Sequence, residues 1–183
     1  MSKLLPKILS AAVFPAALMI VSKIAGIALV NSITGLDWGL QTNTGTLFSV
    51  EVLYPSLHDA VSVNSYSNLF MTILLAAGTG VLLFQSYFLN ASHQNPKVIV
   101  KLIHFDFLLW LSESSTIFPR LTVWLSFLWL ATIVCLSQSL QSLVYPWISI
   151  AALVTSIIFT WLASHTIEEE LHTILPEHGT LSS

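Results

Sequence analysis

The chain reads as an all-α integral membrane protein: four transmembrane helices in a bundle, a short interfacial helix, and a small outer loop able to form a β-hairpin. Two observations predict it. Of the 183 residues, 55% are hydrophobic and only 8% are charged, whereas a soluble domain carries about 25% charged residues. Four apolar stretches each reach the length of about 20 residues that crosses the hydrocarbon core as a helix. Backbone groups in lipid must find hydrogen-bond partners within the protein, so isolated spans are helices. The chain length fits one membrane domain, residues 1–183.

The spans are expected at residues 8–30, 69–89, 121–140 and 144–163. Trp38 lies beyond the first and Tyr87 within the second. Tyr145 and Trp147 open the fourth, and Trp161 closes it. Such rings collect at membrane–water boundaries. Pro15 removes one backbone hydrogen bond from the first helix and bends it. The first span follows a basic start, as a signal peptide would. Its length, and the lack of a clean small-x-small site (Gly26-Ile27-Ala28 is the nearest), favour a retained anchor.

Orientation follows from lysine and arginine. Lys3 and Lys7 precede the first span, and Lys97, Lys101 and Arg120 lie between the second and third. The loop 31–68 and the turn 141–143 have neither residue type. The positive-inside rule then places both termini and the loop 90–120 in the cytoplasm, with a plasma or inner membrane as the setting. The acidic tail, 164–183, weighs little in that rule. Asn90-Ala91-Ser92 has the form of a glycosylation acceptor, but falls on the cytoplasmic side.

The outer loop, 31–68, alternates Phe48, Val50, Val52 and Tyr54 with Ser49 and Glu51, and Asn43-Thr44-Gly45 is a turn signal. A small hairpin or an irregular loop resting on the helices both fit. A two-stranded hairpin alone in water is marginal, so it would need support from the bundle or from a partner. The segment Val98–Leu111 is mostly apolar and too short to span. Asn95 and Pro96 suit a helix start. Lys97, Lys101 and His104 share one helical face there, as in a helix lying in the interface plane. Asp106 falls among Leu102, Ile103, Leu109 and Trp110, where a carboxylate requires a cation, a wet crevice or a proton.

Three polar residues are therefore candidates for function: Lys23, His104 and Asp106. Lys23 is the one charge inside the expected spans. Snorkelling of its stem to the outer headgroups is favoured over an ion pair or a place in a pathway. His165, Glu168, Glu169 and His172 are the candidate metal ligands, since i,i+3 and i,i+4 spacing gathers imidazole and carboxylate on one face. A solvated helix end is favoured over metal there, because no matching set occurs elsewhere. Small-xxx-small stripes at Ser22/Gly26, Thr72/Ala76/Gly80 and Ser149/Ala152/Ser156/Thr160 predict close packing within the bundle. Cys135 is the single cysteine, read as a small buried hydrophobe.

No catalytic, cofactor-binding or metal site is assigned, and no cofactor is implied. A glycine-rich phosphate loop, a His-Glu-x-x-His motif and a local triad signature are all missing from the sequence. The net charge of −3 argues against nucleic acid. No stretch is specific enough to assign the chain to a known family. The leading expectation is a non-catalytic subunit or adaptor of a membrane complex, working with protein partners or as a homo-oligomer in the bilayer. A small transporter or channel component, and a membrane enzyme or metal protein with a site at the cytoplasmic surface, are the alternatives.

Overall fold

A computed structural model describes residues 4–36, 39–42, 50–94 and 117–174. Four helices carry it: α1 (Leu4–Thr34), α2 (Leu57–Gln94), α3 (Ile117–Leu140) and α4 (Pro146–Ile174). Each contains a stretch long and apolar enough to cross a membrane: Ser10–Thr34, Leu57–Ser86, Pro119–Leu140 and Pro146–Glu168. The chain is thus a protein whose helices imply a lipid environment. Between α1 and α2, β1 (Gly39–Thr42) and β2 (Val50–Leu53) pair antiparallel, Gly39 opposite Leu53 and Thr42 opposite Val50. The expected turn at Asn43-Thr44-Gly45 and the expected interfacial helix at Val98–Leu111, with His104 and Asp106, lie outside the described residues.

The helix starts and stops are written in local chemistry. Helix α1 ends at Gly35, whose φ of 63° is the left-handed geometry that a side chain opposes; its N–H bonds the Asn31 carbonyl at 3.0 Å. Helix α2 opens on a capping box: Ser56 Oγ accepts the Asp59 N–H at 3.1 Å and donates to the Asp59 carboxylate at 2.6 Å. Helix α3 stops in a Schellman turn. The Leu143 N–H reaches the Gln138 carbonyl at 2.9 Å, and the Ser142 N–H reaches that of Ser139 at 3.0 Å. Ser142 holds the left-handed position, φ 60°, that glycine usually takes. Pro146 then begins α4 with its ring in the first turn, where no N–H is needed.

The second span departs from the sequence expectation. Helix α2 begins at Leu57, so residues 57–68, read as outer loop, are helix. Their hydropathy is diluted by His58, Asp59, Ser62, Asn64, Ser65, Ser67 and Asn68, so they do not read as part of an apolar run. Helix α4 likewise continues through Ile174, taking the first part of the expected tail into the helix. As a result His58 and His165 stand at the ends of the stretches apolar enough to cross a membrane.

Helix α2 is the central element, packing against α1, α3 and α4. Met71 and Leu75 of α2, with Trp124, Leu128 and Ala131 of α3, form the main apolar core; Leu18, Met19 and Phe159 close around it. Helix α2 meets α3 at Gly78, where an added Cβ would stand 1.9 Å from the Trp124 ring. Helix α1 meets α2 at Gly26, where a Cβ would come within 2.9 Å of the Ser67 Cα. Ser22, Thr72, Ser149, Ala152 and Ser156 are buried. The stripes of small residues thus serve the packing of this bundle's own helices. Large apolar side chains such as Phe14, Ile20, Ile24, Ile133, Ile150 and Ile157 are exposed, as a lipid-facing surface requires.

Two stability outcomes follow. Gly78→Ala drives a methyl into an indole and should cost about 1–3 kcal/mol, with part of the loss recovered by Trp124→Leu; unfolding in mixed micelles measures both. Ser142→Gly, at a left-handed exposed position, should stabilise by about 0.5–1 kcal/mol.

Candidate functional site

The described spans contain few charges. Asp59, Arg120 and Glu168 stand at span ends, and Lys23 alone lies well inside one. Its ammonium does not reach past the helix end to headgroups, as snorkelling would require. It turns into the bundle and donates to Asn64 Oδ1 at 2.6 Å, Asn68 Oδ1 at 2.5 Å and the Asn64 carbonyl at 3.3 Å. An ammonium carries three protons, and α2 supplies three acceptors. The physical reason is reach. Lys23 lies eleven residues before Thr34, roughly 16 Å of helix, whereas the amides of α2 are its immediate neighbours.

The network then crosses to α3 and to the turn between α3 and α4. Asn68 Nδ2 donates to Gln138 Oε1 of α3 at 2.6 Å, and Asn64 Nδ2 donates to the same oxygen at 3.2 Å. Asn64 Nδ2 also donates to the Leu143 carbonyl, in the turn that leads to α4, at 3.0 Å. Asn68 is fully buried, and both its amide atoms are used. Four segments thus converge on two asparagines one helical turn apart, at i and i+4 of α2.

Over the same turns of α2 and toward its start, a second set of bonds seats the α3–α4 turn. Tyr145 donates its backbone N–H to Ser65 Oγ at 2.9 Å, and its hydroxyl lies 2.7 Å from Ser62 Oγ and 3.5 Å from His58 Nε2. Tyr66 meets Tyr145 and Trp147 edge-on, with centroids 6.5 and 6.4 Å apart. The aromatic residues expected at the opening of the fourth span are therefore joined to α2.

Between α1 and α2 lies a cleft of about 270 Å³, lined chiefly by Ile27, Tyr54, Leu57, Val61, Asn64 and Leu143. Asn31 stands beside it: one turn beyond Ile27 on α1, it donates from Nδ2 to the Tyr54 hydroxyl at 3.4 Å. Its Oδ1 is buried without a hydrogen-bond partner.

Deeper in the bundle the polar groups pair locally. Thr132 Oγ1 lies 2.7 Å from Ser156 Oγ, Ser149 donates to the Cys135 carbonyl at 2.9 Å, and Trp129 Nε1 donates to Thr160 Oγ1 at 3.0 Å. Cys135 is buried, in keeping with its reading as a small hydrophobe. Of the four residues expected as possible metal ligands, all fall on helix α4. His165 and Glu168 are exposed, and His165 lies against the Trp161 ring at 6.1 Å between centroids. Among the described residues no group of three or more metal-ligating side chains converges.

Of the residues singled out by sequence, Lys23 enters the network. Asn64, Asn68 and Gln138 were missed, the first two because they were read as loop. Two signals pointed to them. Ser56-Leu57-His58-Asp59 spells a capping box, and Asn64, Asn68 and Thr72 recur every fourth residue, as on one helical face. The chain matches no protein-family model, and neither a curated protein nor a solved structure matches it.

The coupling of Lys23 to Asn68 is measurable. Lys23→Met and Asn68→Leu should each cost about 1–3 kcal/mol, by stranding buried polar groups. The double variant should lose at least about 1 kcal/mol less than the sum, because each change removes the other's stranded partner. Unfolding in mixed micelles, followed by tryptophan fluorescence, provides the cycle.

Proposed function

We propose that this multi-pass membrane protein is a non-catalytic subunit or adaptor of a membrane complex. The observation that carries the reading is the engagement of Lys23. An intramembrane charge is by default a candidate for transport or relay. Here each ammonium proton has an acceptor on the neighbouring helix, so the charge is spent on holding α1 to α2 rather than held open for a substrate. Asn64, Asn68 and Gln138 extend the same grip to α3 and to the α3–α4 turn. What they build is a rigid unit of four helices, one domain, that presents its ends and its outer faces.

In this reading the acidic extension of α4 and the paired strands are docking surfaces. The positive-inside rule gives the orientation: both termini on the cytoplasmic side, with the α3–α4 turn and the strands facing outward, in a plasma or inner membrane. The candidates His104 and Asp106, on the loop between α2 and α3, would then sit on the cytoplasmic side with the termini.

Two measurements test it. Mild extraction from native membranes, with affinity capture of the full chain, should bring down a reproducible stoichiometric partner. A homogeneous monomer with nothing attached, under extraction that preserves other complexes, overturns the adaptor reading. For orientation, a cysteine introduced at exposed Ser142 should react with a membrane-impermeant maleimide added from outside, while one introduced near the amino terminus should not.

A further inference from the structure

We infer that the oxygens of α2 around Lys23 form a built site for a primary alkylammonium, and that Lys23 fills this site as a tethered occupant. An ammonium can only donate hydrogen bonds, so Asn64 and Asn68 both present oxygen to it, Oδ1 at 2.6 Å and 2.5 Å. The Asn64 carbonyl is the third and longest contact, at 3.3 Å, and it also accepts the Ser67 hydroxyl at 3.0 Å. All three acceptors are neutral, and all three belong to α2, within about one helical turn.

A second layer of bonds holds these oxygens in place. Asn68 Nδ2 donates to Gln138 Oε1 at 2.6 Å. Asn64 Nδ2 donates to the same oxygen at 3.2 Å and to the Leu143 carbonyl at 3.0 Å. None of these bonds passes through Lys23. Turning either amide over would set its N–H groups against the ammonium and its oxygen against another oxygen. The set is therefore fixed as acceptors whether or not the lysine is there. It refuses an anion, which has no proton to give, and a neutral alcohol can make one bond where an ammonium makes three. Hydrogen bonds from a charged donor are also the stronger kind. A planar guanidinium fits less well, because its fork cannot converge on three oxygens around one point.

A small solute can reach the site. Asn64 lines the cleft of about 270 Å³ between α1 and α2, and Lys23 and Asn64 are both half-buried. Lys23→Ala removes the last three carbons of the lysine stem together with the ammonium. n-Propylammonium is that missing fragment. In the native chain the tether keeps the site filled, so free cations do not compete for it. This site shares its bonds with the adaptor reading but requires no protein partner, so a failed rescue leaves partner capture as an independent result.

The test is chemical rescue of Lys23→Ala, as the full chain in non-ionic detergent near neutral pH, read as melting temperature. n-Propylammonium should act saturably at millimolar concentration and raise the melting temperature by about 3–6 °C, while the wild type, its site filled, should not respond. Tetramethylammonium has the charge without N–H groups, and 1-propanol is the uncharged probe of the same length. Each should act at least about tenfold more weakly. Asn68→Leu added to Lys23→Ala deletes one oxygen and should weaken the rescue by about tenfold, the scale of one hydrogen bond to a charged group. If Lys23→Ala does not survive extraction by itself, n-propylammonium is kept in every buffer and the folded yield is read instead; that yield should recover. Neither saturable stabilisation nor recovered yield overturns the proposal. So does an equal response to tetramethylammonium or 1-propanol, or an equal response of the wild type, which would mark a general salt or solvent effect. Rescue unchanged by Asn68→Leu also overturns it, since the ammonium would then bind elsewhere.

Discussion

In hydrocarbon a polar group has only the protein to bond to, and that constraint organises this molecule. Lys23 is its severest case. An ammonium placed well inside a span, with no carboxylate beside it among the described residues, needs three good acceptors at once. Two asparagine side-chain oxygens and one backbone carbonyl of α2 provide them. The asparagines must then place their own N–H groups, and they do so on Gln138 and on the Leu143 carbonyl. Satisfying one charge has fixed the relative position of α1, α2, α3 and the turn into α4.

The same constraint explains why α2 is the hub. Its first three turns carry polar side chains that would be soluble loop in another setting. Here they are the sockets into which the α3–α4 turn fits, through Ser62 and Ser65 to Tyr145 as well as through Asn64. Farther along, α2 becomes apolar and uses shape instead. Gly78 admits the Trp124 ring, and Leu75 is fully buried. One helix thus uses hydrogen bonds at one end and close packing through the rest. The cleft beside its first turns is where that satisfaction is incomplete, since Asn31 and Tyr54 do not exhaust each other's capacity.

A helix can be read from the sequence when its signal is local and of one kind. The first, third and fourth expected spans are continuous apolar runs, and each falls on a helix long and apolar enough to cross a membrane. The second begins ahead of its apolar run because its opening turns are polar; Ser56 and Asp59 are the local mark of its start. The packing of small residues was legible too, because helical spacing alone puts Ser149, Ala152 and Ser156 on one face, and the structure buries them. Lys23 was legible as an anomaly but not in its direction. A lysine stem is long enough to go either way, and the choice depends on what stands across from it.

By itself, then, the sequence determined that four helices are long and apolar enough to cross a membrane, where small residues let them approach, and that one charge lies inside. These depend on composition and on the spacing of neighbours along one chain, which a sequence states directly. The tertiary structure decided that Lys23 bonds to Asn64 and Asn68, that Gln138 closes the network, and that Tyr54 and Asn31 meet beside a cleft. Each of those joins residues separated by 23 to 74 positions. Such pairings depend on which helix faces give up water and lipid for each other, and that is settled only when the four helices pack.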